Sequence, residues 1–89
     1  MYLFSELKVK DHGHFLKEWE KSLDHLPKGC KLMQSFWAKD HSHFFCVCQF
    51  DNLNNLRNYF REHFGMHATI MHWEIDARYM EGTAWKRSA

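Results

Sequence analysis

A carboxylate held beside an imidazole in a partly dry cavity can pass protons to and from a bound molecule, because the acid orients the ring and keeps it titrating near neutrality. Glu6 and His72 are the residues of this chain whose spacing could supply such a catalytic pair. If residues 69–76 form a strand with Thr69, Met71, Trp73 and Ile75 as its core row, then Ile70, His72, Glu74 and Asp76 face the other way. On residues 2–10 the same alternation turns Leu3, Leu7 and Val9 inward and leaves Tyr2, Phe4, Glu6 and Lys8 opposite. An even hairpin loop pairing Ala38 with His43 adds Leu32, Gln34 and Phe36, with His43, Phe45, Val47 and Gln49, to that second face. Gln34, Phe36, His43, Phe45, Gln49 and Glu74 are therefore the candidate ligand-binding residues around Glu6 and His72. A competing reading fits the same residues: a buried, satisfied polar network that fixes packing, since buried polar groups need partners in any fold.

Eight histidines in 89 residues are the compositional oddity. His63 and His67 have the four-residue spacing that lets two imidazoles on one helix share a metal, but Gly65 between them breaks that helix. Asp11-His12-Gly13-His14 and Asp40-His41-Ser42-His43 are two further short clusters that offer a carboxylate and imidazoles to nickel, copper or zinc. None has three or four ligands at structural-zinc spacing, so the metal ligands, if any, stay unassigned and no cofactor is specified.

Other chemistries lack their parts. There is no GxSxG elbow and no glycine-rich phosphate loop, and Cys30, Cys46 and Cys48 have no evident activating partner. Three cysteines, two of them on alternate positions of one strand, read as reduced thiols rather than a disulfide framework. His43-Phe44-Phe45-Cys46-Val47-Cys48-Gln49-Phe50 keeps two aromatics of the RNA-recognition signature but lacks its glycines and basic start. A formal charge of +1 also argues against a nucleic-acid surface. The opening Met1-Tyr2-Leu3-Phe4 lacks a basic n-region, and no stretch approaches the ~20 apolar residues of a membrane span. The expectation is a cytoplasmic protein with no membrane or nucleic-acid partner.

The elements that must position these groups follow from periodicity. After the first strand, Asp11 caps a helix with Phe15, Leu16, Trp19, Leu23 and Leu26 on one stripe, ended by Pro27 and Gly29. Residues 30–38 and 43–50 form a hairpin around Lys39-Asp40-His41-Ser42. Asp51 or Asn52 caps a second helix with Leu53, Leu56, Phe60 and Phe64 on its stripe, and Gly65 suits a left-handed closing residue. A last strand spans 69–76, so residues 1–76 make one domain and 77–89 a tail whose Trp85 hints at docking on a partner protomer.

This βαββαβ order is the ferredoxin-like α+β pattern, a four-stranded antiparallel sheet with both helices on one face. The bare face would carry Tyr2, Phe4, Phe36, Phe45, Val47 and Ile70, too apolar for water, so a second sheet is expected to cover it. Two such sheets closing face to face give a homodimeric α/β barrel, which also adds stability that a chain of this length lacks alone.

Ser35-Phe36-Trp37-Ala38, Phe44-Phe45-Cys46-Val47-Cys48-Gln49-Phe50-Asp51 and Asn55-Leu56-Arg57-Asn58-Tyr59-Phe60 resemble small stand-alone members of the dimeric α/β-barrel superfamily. These are similar to the antibiotic-biosynthesis-monooxygenase and muconolactone-isomerase relatives. The resemblance implies a homodimer with a pocket inside the barrel or between sheet and helices, and it selects no single chemistry. The functional expectation is a homodimer that binds a small apolar or aromatic ligand, with a cofactor-independent oxygenase or isomerase activity as its enzymatic form. A histidine-based transition-metal binder and a non-catalytic interaction module are the alternatives.

Overall fold

The computed structural model describes residues 1–22, 25–76 and 78. Its elements run β1 (Tyr2–Val9), α1 (His12–Ser22), β2 (Lys31–Trp37), β3 (His43–Gln49), α2 (Leu53–Phe64) and β4 (Ala68–Ile75). The four strands form one antiparallel sheet in the order β2-β3-β1-β4, the ferredoxin-like arrangement expected from the pattern. Leu23 of the expected α1 stripe and the tail residues Tyr79, Met80 and Trp85 lie outside the described residues. Among those described, no helix is long and apolar enough to cross a membrane.

Local chemistry sets the element ends. Asp11 Oδ1 accepts the His14 backbone N–H at 3.1 Å and starts α1. Of the two caps available to α2, Asn52 is the one used, its Oδ1 accepting the Asn55 N–H at 3.1 Å. The 39–42 loop closes as expected, with the Ala38 N–H donating to the His43 carbonyl at 2.8 Å. Gly29 has φ 83° in a turn closed by a 3.0 Å bond from the Cys30 N–H to the Pro27 carbonyl, the position that demands a positive φ in a type II turn. Gly65 departs from expectation, because it is right-handed (φ −59°) rather than left-handed. Its glycine is required by close approach instead, since a Cβ there would sit 2.5 Å from the Arg61 carbonyl oxygen.

Both helices cover one sheet face. Leu3 and Leu7 of β1 and Phe44, Cys46 and Cys48 of β3 pack there against Phe15 of α1 and Leu56, Tyr59, Phe60 and Phe64 of α2. Aromatic rings knit this layer, with Trp19 4.5 Å from Phe44, Trp37 4.9 Å from Phe44 and Phe15 5.1 Å from Phe64, centroid to centroid. Pairs of this kind contribute about 0.5–1.5 kcal/mol each beyond the area they bury.

The strand register corrects two assignments. β1 pairs β4 with Leu3 opposite Glu74, Ser5 opposite His72, Leu7 opposite Ile70 and Val9 opposite Ala68. Because Leu3 and Leu7 face the helices, so must Ala68, Ile70, His72 and Glu74. The row Thr69, Met71, Trp73 and Ile75, expected beneath the helices, lies on the opposite face. In β2 the pairing slips between Leu32 and Gln34, a bulge that turns Leu32 to the helix side opposite Cys48 while Gln34 and Phe36 stay on the open face.

Candidate functional site

The face without helices carries Tyr2, Phe4, Glu6 and Lys8 from β1 and His43, Phe45, Val47 and Gln49 from β3. Gln34 and Phe36 join from β2, and Met71, Trp73 and Ile75 from β4. Four rings run across it in strand order: Trp73 lies 5.9 Å from Phe4, Phe4 6.0 Å from Phe45, and Phe45 5.3 Å from Phe36. Phe36, Met71 and Trp73 are respectively 45 %, 50 % and 45 % exposed, so the row is open to solvent in the single chain. Val47 is nonetheless buried within it, outside the cluster that packs on the helices.

Polar groups edge this row. Glu6 is half-buried, opposite Phe45 on one side and Met71 on the other. His43 stacks on Phe45 at 6.1 Å, and its Nδ1 is 2.8 Å from the Ser42 hydroxyl. Since Lys8 sits opposite His43 and Glu6 opposite Phe45, Glu6 and His43 are diagonal neighbours on adjacent strands, a relation that puts Cα atoms about 7–8 Å apart. Of the residues singled out in the sequence, the register thus gathers Glu6, Gln34, Phe36, His43, Phe45 and Gln49 on one face.

His72 and Glu74 are on the other face, so the proton-transfer pair expected between Glu6 and His72 does not form within the chain. The His72 Nδ1 is 2.7 Å from the hydroxyl of Ser5, itself fully buried, and the ring packs 5.3 Å from Phe60. Burial, and then the positive charge of Arg57, push the His72 imidazole below its ordinary titration range. A groove between α2 and β4 runs past it. One cavity there, of about 320 Å³, is lined by Arg57, Arg61, Gly65, Ala68, Ile70 and His72. An adjoining one of about 350 Å³ adds Leu3, Leu53 and Glu74. Ser5 was not among the residues expected to matter, although a serine in the inward row of Leu3, Leu7 and Val9 already needed a partner.

A serine, a histidine and a carboxylate also meet between the helices. The Ser22 hydroxyl donates to Glu18 Oε2 at 2.5 Å, Glu18 Oε2 is 2.8 Å from His63 Nδ1, and Ser22 Oγ is 3.1 Å from that same Nδ1. In a hydrolytic triad the acid and the nucleophile use opposite ring nitrogens. Here both crowd one nitrogen and Ser22 is 1 % exposed, so the cluster is a staple, tightened by the Tyr59 hydroxyl donating to the Ser22 carbonyl at 3.0 Å. Cys46 and Cys48 are buried on the helix side; the bond Cys46 donates to Cys48 pushes the first thiol up and the second down, and burial keeps both from any substrate.

The histidine clusters gather at one pole. His12 stacks on His41 at 5.1 Å and His14 on His67 at 5.7 Å, while Asp11 Oδ2 holds His14 Nδ1 at 2.7 Å. His63 and His67, four apart, go to different partners because α2 ends at Phe64. Among the described residues no three of His, Cys, Asp and Glu come together as a group able to hold a metal ion.

No protein-family model, curated protein or solved structure matches the chain.

Proposed function

We propose that the protein is a homodimer of the dimeric α/β-barrel kind whose two sheets close over each other and bind a small apolar or aromatic molecule between them. The observation that carries this reading is the row Trp73, Phe4, Phe45 and Phe36 on the face that no helix covers among the described residues. The reassignment of Met71, Trp73 and Ile75 to this face makes it more apolar than the sequence alone implied. Patches of this kind on a soluble chain mark interaction or ligand surfaces. Four strands about 4.8 Å apart and about 25 Å long present roughly 500 Å² in projection, and more over corrugated side chains, in the range of the roughly 800 Å² per partner of a standard interface. Glu6 stands between Lys8 and Lys31 at opposite ends of the sheet, so no block of like charge opposes a second copy.

On that face Glu6 and His43 replace Glu6 and His72 as the carboxylate and imidazole that could move a proton on a bound molecule. A cofactor-independent isomerase or oxygenase would use them so, with Gln34 and Gln49 orienting polar edges of the substrate. The test pairs sedimentation velocity at micromolar concentration with a thermal-shift screen of small aromatic compounds. The expected result is a dimer whose melting temperature rises with at least one compound, a rise lost in Phe4→Ala. A folded monomer that no compound stabilises overturns the reading.

A further inference from the structure

We infer that the groove between α2 and β4 is a second, separate binding site, one that takes the oxyanion of a small molecule on Arg57 and Arg61. The two arginines are one helical turn apart and line the same cavity of about 320 Å³. Among the described residues that line it there is no carboxylate, and the groove's Glu74 lies in the adjoining cavity. Arg61 spends one N–H on Asn58 Oδ1 at 2.7 Å, while Arg57 makes no hydrogen bond or ion pair among the described residues. Two guanidinium forks on one wall match the planar, multidentate geometry of a carboxylate or phosphate.

The opposite wall explains why the ligand should be more than a free ion. Ala68 and Ile70 of β4 give apolar surface beside the arginines, suited to the body of an organic acid or phosphate ester. His72 closes the floor, its Nδ1 taken by Ser5 of β1 and its ring resting on Phe60 of α2. The charged groups around it are Arg57 and Arg61 from α2 and Glu74 from its own strand. Beyond burial, the Arg57 charge beside it disfavours protonation of the imidazole, so an anion seated on that guanidinium relieves the repulsion and moves the ring's resonances. The site is independent of the sheet face, which lies on the other side of β1 and β4.

The experiment follows the His72 ring by NMR while inorganic phosphate, benzoate or chloride is added to the intact chain at constant ionic strength. A saturable His72 shift with phosphate or benzoate, absent with chloride and lost in the Arg57→Gln, Arg61→Gln double variant, is the expected result. Saturation by phosphate alone assigns phosphate esters, and by benzoate alone carboxylates. Arg57→Lys with Arg61→Lys keeps the charge but removes the forks, and should weaken binding at least tenfold. A shift that grows equally with chloride, or one unchanged in either double variant, overturns the proposal.

Discussion

The Ser5 hydroxyl and the His72 Nδ1 lie 2.7 Å apart on the helix-facing side of β1 and β4, joining residues 67 positions apart in sequence. This bond satisfies the buried polar group in the inward row of β1 and holds the edge strand in register. Ser5→Ala should cost about 1–3 kcal/mol, because it leaves a half-buried ring nitrogen without its partner. Urea denaturation of the two proteins at neutral pH measures it, and an unchanged midpoint would show the bond to contribute nothing.

Acid should act through the same ring. The His72 pKa is lowered in the folded state, so below the ordinary value of 6.5 the unfolded chain binds the extra proton and stability falls with pH. Above that value the contribution is complete. Glu18 is also lowered, by its bonds from Ser22 and His63, so its share is retained until the pH drops through the ordinary carboxylate value of 4.5 and below. Two separate declines are therefore expected in denaturation midpoints measured from pH 8 to pH 3, and His72→Gln should flatten the first while sparing the second.

Ser22→Ala removes the 2.5 Å donor to Glu18 and the 3.1 Å contact with His63 Nδ1, leaving the Glu18–His63 bond to join α1 to α2 there. We expect a loss of about 1–2 kcal/mol in chemical denaturation and no change in ligand response on the sheet face. A change in that response would move this cluster from a structural to a functional role.

Trp73→Lys tests the sheet pairing without touching the helix-side core. It places a charge among Phe4 and the exposed Met71, and should raise the dissociation constant of the proposed dimer at least tenfold by sedimentation. Phe45→Glu, at the centre of the row and stacked on Phe4 and Phe36, should dissociate the dimer and unfold the chain.

Gly29→Ala tests the turn before β2. The residue has φ 83°, and a methyl group there meets the Asp51 carboxylate, so a cost of about 1–3 kcal/mol is expected in thermal or urea unfolding.

Periodicity revealed β1 because Leu3, Leu7 and Val9 share one alternation while Glu6 and Lys8 mark the other, and it revealed α2 because Leu56, Phe60 and Phe64 repeat every four residues. It misplaced β4 because both of its alternations hold apolar residues. Ala68 and Ile70 suffice for the narrow strip that α2 covers, and the bulkier Met71, Trp73 and Ile75 face away. The bulge in β2 has no signature in composition, yet one extra residue turned Leu32 over. The open-face group from Glu6 to Gln49 was legible because it rests on β1 and the hairpin alone. The groove of Arg57, Arg61 and His72 was not, since it depends on the rotational phase of α2 against a strand whose own parity was ambiguous.

The sheet order has a consequence for how the chain assembles. β1, first in sequence, is flanked by β3 and β4, and among the described residues β4 has no other strand beside it. Loop-closure entropy rises with separation, so β2 and β3 can zip early as a hairpin while the sheet waits for its most distant pairing. During synthesis β1 lies without that neighbour until the final strand has emerged. Whatever captures the unpaired edge of β1 in that interval, whether a chaperone or another nascent copy, decides between a finished sheet and an aggregate.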